Sequence, residues 1–191
     1  GLLYPSAGEC FILGEKVPSL TASSKIGYLP EMPYLYKYLT AKEILQLYGR
    51  LSGIDKSQLD KKIGEMIELV HLEADVSTRL GEFSKGMMQR VGVAQALIHN
   101  PELLILDEPF TGLDPLGLKE MRETILNLKK EGKTIFFSSH IISEAEKICD
   151  RVAILYKGRH LKTINLKSIR PGELENEFIS AIKTASSEQS E

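Results

Sequence analysis

The sequence predicts an α/β fold, an incomplete parallel-sheet core with an inserted α-helical subdomain. Three observations predict it. From about residue 32 to 101 the apolar residues recur at helical spacing, whereas after Pro101 short apolar runs alternate with helical patterns. The run LLILD at 103–107 is apolar along almost its whole length, as strands buried on both faces of a parallel sheet are. Strand, helix, strand, helix order then requires right-handed crossovers.

Each element has its own signal. A short apolar stretch from Glu9 to Ile12 reads as a strand, and KIGYLP at 25–30 as a second, closed by Pro30 and Pro33. Thr40 and Glu43 match the capping-box spacing, and Ile44, Leu47, Tyr48 and Leu51 continue a helix that Gly53 stops. A second helix starts near Ser57 and aligns Leu59, Ile63, Met66, Ile67 and Val70 on one face. A third opens at Ser84 and runs through Val91, Ala94 and Leu97 to the break at Asn100-Pro101. Beyond the LLILD strand, Pro115 begins a helix carrying Leu118, Met121, Ile125 and Leu128, which ends at Gly132. TIFFSS at 134–139 is the next strand, and Ser143 with Glu146 makes a second capping box for a short helix. Val152–Tyr156 and His160–Ile164 form an antiparallel hairpin through Lys157-Gly158, and the polar tail from Ser186 frays.

Composition narrows the function classes. Among 191 residues, 24 basic side chains stand against 26 acidic ones, so a strongly basic nucleic-acid footprint is absent. Cys10 and Cys149 have no C-x-x-C spacing, which removes a zinc or disulfide framework and leaves reduced, buried thiols as the expectation. The longest apolar runs fall far short of the roughly 18 residues that span a bilayer, so a membrane role must come through a partner. The chain opens on Gly1 with no signal-peptide pattern, and is expected to begin mid-gene.

The chemistry concentrates in LLILDEPFTGLDP at 103–115. A buried strand ending in Asp107 and Glu108 brings two carboxylates to the carboxyl edge of a parallel sheet, where α/β proteins assemble ligand sites. Carboxylates there need a cation to hold or a proton to take, although an acidic pair at a strand end is also an ordinary solvated terminus. Upstream, FSKGMMQRVGVAQAL has Ser84 as a natural N-cap and Gly86 where an anion could approach free backbone N–H groups. Downstream, SSHI at 138–141 puts His140 just after a strand at the same edge, a position that also suits a structural histidine.

In this order and spacing the segments resemble the ATP-binding cassette family from Gly1 to about Arg159. IGYLPEMPYLY resembles the family's Q-loop region, FSKGM its L-S-G-G-Q signature, LLILDEP its Walker B strand, GLDP its D-loop and SSHI its H-loop. The resemblance implies a P-loop NTPase-like core and the cofactors ATP and Mg²⁺. Asp107 would hold Mg²⁺, directly or through water, Glu108 would be the general base, and His140 would contact the γ-phosphate. Ser84, Lys85, Gly86 and Met87 would face an ATP held by a second ATPase subunit in a head-to-tail dimer, and Asp114 would link the two sites. The segments implied are a core remnant over 1–31, a helical subdomain over 32–101, a RecA-like core over 102–165 and a C-terminal helix and tail over 166–191. The implied function is the ATP-hydrolysing subunit of a membrane exporter, at the cytoplasmic face and held there by a separate permease, with no nucleic acid and no metal other than Mg²⁺.

The pattern also departs from the family's. No G-x-x-x-x-G-K-[ST] occurs, and GLLYPSAGE resembles the segment that follows the P-loop helix, so that loop is expected upstream of Gly1. Gly132-Lys133-Thr134 has the closing triplet but runs from helix to strand, the reverse of a phosphate loop. Lacking the loop's N–H groups and lysine, the residues given are expected to bind ATP poorly and to hydrolyse it negligibly. Glu31 stands at the usual glutamine of the Q-loop, Lys85 replaces the signature's first glycine and Met87 its final glutamine. Lys85 is either a phosphate contact or a solvated side chain. The alternative function is a non-catalytic module that docks on an intact cassette through Ser84 and Gly86.

Overall fold

The computed structural model describes residues 3–187 and divides into two units between Ser138 and Ser139. The first unit opens with β1 (Phe11–Ile12) and β2 (Glu15–Lys16), an antiparallel pair. The expected strand at Glu9–Ile12 thus begins two residues later. Cys10, at its edge, is exposed rather than buried, and Cys149 is half-buried. Ser19 caps α1 (Leu20–Ser24), its hydroxyl accepting from the Ala22 N–H at 3.2 Å.

The sheet that positions the site is built from β3 (Ile26–Leu29), β4 (Leu103–Asp107) and β5 (Thr134–Ser138) in that spatial order, all parallel. In register, Tyr28 faces Ile105 and Ile105 faces Phe136, while Leu29 faces Leu106 and Leu106 faces Phe137. Alternation across the pleat sends these two rows to opposite faces. Leu29, Leu104 and Leu106 are buried, whereas Ile105 is half-buried and Phe136 is 65% exposed. The expectation that β4 is buried on both faces is therefore corrected. An apolar run alone does not report which face a neighbour covers.

The helical part contains α2 (Ala41–Leu51), α3 (Lys56–Leu69) and α4 (Lys85–Leu97). Thr40 and Glu43 form both halves of the expected capping box, with N–H to oxygen distances of 2.8 and 3.2 Å. The helix expected to start near Ser57 is α3, capped by Asp55, whose Oδ1 accepts from the Ser57 N–H and hydroxyl at 2.8 and 2.6 Å. Ile44, Leu45, Leu59, Ile63, Val91 and Ala94 supply the buried faces of the three helices, each large one worth about 1.5–3 kcal/mol on burial. Close packing of α4 on the sheet depends on Gly27: a β-carbon there would stand 2.2 Å from the Ala96 carbonyl oxygen.

Asp114 caps α5 (Pro115–Lys130), with Pro115 in the first turn, and Gly132 turns the chain into β5. The Gly132-Lys133-Thr134 triplet joins a helix to a strand, and Lys133 Nζ donates to Asn100 Oδ1 at 2.5 Å and to the Pro101 carbonyl at 2.7 Å. It is a brace, not a phosphate loop.

The second unit holds α6 (Ile142–Ile148), β6 (Arg151–Tyr156), β7 (Arg159–Asn165) and α7 (Leu174–Ser187). The predicted hairpin is present, with Lys157 and Gly158 both at positive φ, as a two-residue turn between twisted strands requires. Ile154, Ile164 and Leu174 form its core. The capping box expected from Ser143 and Glu146 is absent. Ser143 lies inside α6, Ile141 occupies the cap position without a side-chain bond, and Glu146 accepts instead from the Gly172 and Leu174 N–H groups at 2.9 and 3.3 Å. Two donors far along the chain outcompete one nearby. The tail expected to fray from Ser186 begins inside α7, and its residues 188–191 lie outside the described ones.

Candidate functional site

Three oxygen-bearing groups meet at the carboxyl end of β4. Pairing of β4 with β5 sets Asp107 opposite Ser138, and the Ser138 hydroxyl donates to Asp107 Oδ1 at 2.6 Å. The Ser138 hydroxyl oxygen in turn accepts from the Glu108 backbone N–H at 3.0 Å. One serine on the neighbouring strand thus ties the Asp107 carboxylate to the Glu108 backbone, a role for which the sequence reading has no signal because it arises from register.

Glu108 leaves the strand with φ of +49°, in the left-handed region that non-glycine residues rarely adopt. Surrounding bonds hold it there: the Thr111 N–H donates to the Glu108 carbonyl at 3.1 Å, and the Thr111 hydroxyl to Glu108 Oε2 at 3.4 Å. From α4, Gln89 donates through Nε2 to the same carbonyl at 3.5 Å. Gln89 is 1% exposed, a buried polar residue in an otherwise apolar helix face, which the sequence alone does not reveal. Beneath the turn Phe110 is buried and meets Phe137 edge-on, with ring centroids 5.7 Å apart.

Of the remaining site candidates, all but His140 lie in the first unit. Ser84 caps α4, its hydroxyl accepting from the Met87 N–H at 3.2 Å. That bond uses the Met87 amide, so Ser84 and Met87 are tied to each other. Lys85 is exposed, and Gly86 lies against the Leu113 side chain: a β-carbon at Gly86 would be 3.3 Å from Leu113 Cδ2. Asp114 Oδ1 accepts from the Gly117 N–H at 2.7 Å, which gives this acid a helix-capping role not foreseen in the sequence. Glu31 is exposed just past β3. His140 stands two residues after β5 in the chain, belongs to the second unit and is exposed.

The donor set at β4 suits Mg²⁺. The carboxylates of Asp107 and Glu108 and the Ser138 hydroxyl are hard oxygen ligands, and Mg²⁺ takes one or two carboxylates together with phosphate oxygens and water. Among the described residues no cluster of three or more His, Cys, Asp or Glu forms a self-sufficient metal cage. No helix among them is long and apolar enough to cross a membrane.

A parallel sheet with acids at its carboxyl edge and an inserted helical segment defines a P-loop NTPase-like α/β core. The chain belongs to the ABC transporter family, whose model matches residues 1–111. It is 52% identical over 160 residues to an uncharacterized ABC transporter ATP-binding protein of Nostoc sp., an alignment covering 83% of this chain and 48% of that protein. It is 39% identical over 163 residues to the Nod factor export ATP-binding protein I of Rhizobium sp., covering 84% and 54%. Among solved structures it resembles the ATP-binding cassette MJ0796 in a dimeric post-hydrolysis state bound to ADP and Pi, with a TM-score of 0.78 and 25% identity over 86% of this chain and 76% of that one. The chain spans about half the length of the curated relatives it matches.

Proposed function

We propose that this chain is part of the ATP-hydrolysing subunit of an ABC-type exporter. The observation that carries the reading is the bonding of Asp107 and Glu108 to one hydroxyl, Ser138, at the edge of a parallel sheet. ATP supplies the electrophilic phosphorus when bound, and Mg²⁺ neutralises the charge of its phosphates. Asp107 holds the cation. Glu108, fixed at the start of the following turn, takes the proton of the attacking water. His140 donates a hydrogen bond to the terminal phosphate, a role that its place just after β5 in the chain supports. Ser84, Lys85, Gly86 and Met87 face the nucleotide of a second copy, and Asp114 links the two sites. Glu31, exposed just past β3, offers a carboxylate that can ligate Mg²⁺ although it repels phosphate.

The permease contact falls on the segment after β3. Met32, Tyr34, Tyr36 and Tyr38 are all exposed there, Tyr34 by 87%, and the Tyr36 and Tyr38 rings stand 5.7 Å apart. An exposed cluster of this kind fits a protein partner at the cytoplasmic face of the membrane. The export direction draws support from the Nod factor relative. Residues 1–191 as an isolated polypeptide, having no phosphate-loop motif, bind MgATP weakly, and equilibrium dialysis reads this directly.

The deciding experiment is Glu108→Gln in the natural full-length protein with its permease. Hydrolysis drops by about 10²-fold or more while ATP binding persists, as removal of a general base requires. A variant that hydrolyses ATP at the native rate overturns the proposal.

A further inference from the structure

We propose that Lys85 is a positioning residue whose methylene stem, rather than its charge, holds the turn that carries Glu108. The inference rests on the reading of Glu108 as the general base. Helix α4 touches the turn over Glu108–Leu113 with Lys85, Gly86 and Gln89, which share one side of its first two turns. Gly112 has φ of +77°, and a β-carbon on it would stand 2.5, 3.0 and 3.1 Å from Lys85 Cδ, Cε and Cγ. The stem therefore lies directly on the bare α-carbon of Gly112. Leu113 closes on Gly86 beside it, and Gln89 reaches the Glu108 carbonyl one helical turn further on.

The charge of Lys85 has no comparable role at this place. The residue begins α4, where the helix dipole disfavours a cation, and the first turn holds no acid to offset it. Among the described residues no carboxylate pairs with its ammonium. A long lysine stem can cover backbone while its head stays in water, which the glycine of the resembled signature could not do. Glu108 needs such support because a left-handed non-glycine residue persists only when its surroundings fix it.

The test compares Lys85→Ala, Lys85→Ser and Lys85→Met in the full-length protein. Hydrogen exchange at the amides of 108–113 rises about threefold or more in the two truncations and stays near the native rate in Lys85→Met, which keeps a stem. With the permease present, kcat of Lys85→Ala falls about tenfold below that of Lys85→Met at a shared KM. Equal exchange in all three variants overturns the strut. Faster exchange with equal kcat overturns the positioning role. Glu108→Gln tests the underlying reading by itself, since exchange at 108–113 reports the strut whether or not Glu108 is the base.

Discussion

Ser138 stands opposite Asp107 in the β4–β5 pairing and spans the 2.6 Å to its Oδ1 while taking the Glu108 N–H at 3.0 Å. Its hydroxyl thus joins the side chain of one acid to the backbone of the other. Ser138→Ala removes a donor from one acid and an acceptor from the other, at a cost of about 1 kcal/mol in stability per bond lost. Chemistry suffers together with folding, because a carboxylate displaced by a fraction of an ångström loses its alignment. The expected result is a fall in ATPase kcat of about tenfold with a Tm lowered by about 4–8 °C, read by steady-state kinetics and thermal unfolding. A native kcat in the alanine variant removes Ser138 from the site.

Gly27 is a point of close approach between α4 and β3. A methyl group there would overlap the Ala96 carbonyl oxygen at 2.2 Å, and backbone cannot swing aside as a side chain can. Gly27→Ala is therefore expected to destabilise the protein by about 1–3 kcal/mol, the range for overpacked cores. Chemical denaturation measures it. A loss below about 0.5 kcal/mol would show that α4 shifts freely on the sheet, contrary to the packing argument.

Much of this fold is legible in the sequence where the deciding interaction is local. Thr40 with Glu43, Ser84 before α4, Pro115 at the start of α5 and the Lys157-Gly158 turn each act within four residues of themselves. The errors lie where distant groups compete. Glu146 bonds to amides at 172 and 174, so the pattern it makes with Ser143 carries no information about the cap. In the site, Asp107 and Glu108 are readable as strand-end acids, and Thr111 acts on Glu108 from three residues away, whereas Ser138 and Gln89 are not readable, since strand register and helix packing bring them to the acids. The exposed row at Phe136 has the same origin, for apolarity reports what a strand can bury and not what stands against it.

The contrast between the two cap patterns is itself testable. Thr40→Ala removes a hydroxyl that accepts from the Glu43 N–H and is expected to cost about 1 kcal/mol. Ser143→Ala alters an exposed position inside α6 and is expected to lie within about 0.5 kcal/mol of native. Equal losses in urea unfolding would restore Ser143 as a cap and contradict the bonding of Glu146.

The other half of the Thr40 box is sensitive to pH. The bond from the Thr40 backbone N–H, followed by that with its side chain, holds the Glu43 carboxyl below the ordinary carboxylate range. A folded pKa below the unfolded value means that the folded state binds the proton less readily, so the contribution is complete above the unfolded pKa of about 4.3. It is lost as pH falls through the lowered folded value. The stability gap between native protein and Glu43→Ala is thus expected to be constant near neutrality and to shrink in acid, with the loss centred below about pH 4.3. Urea unfolding of both proteins at a series of pH values measures it. A gap that stays constant down to about pH 2.5 would mean that the carboxylate form contributes nothing beyond its neutral acid, and the charged half of the capping box would have to be discarded.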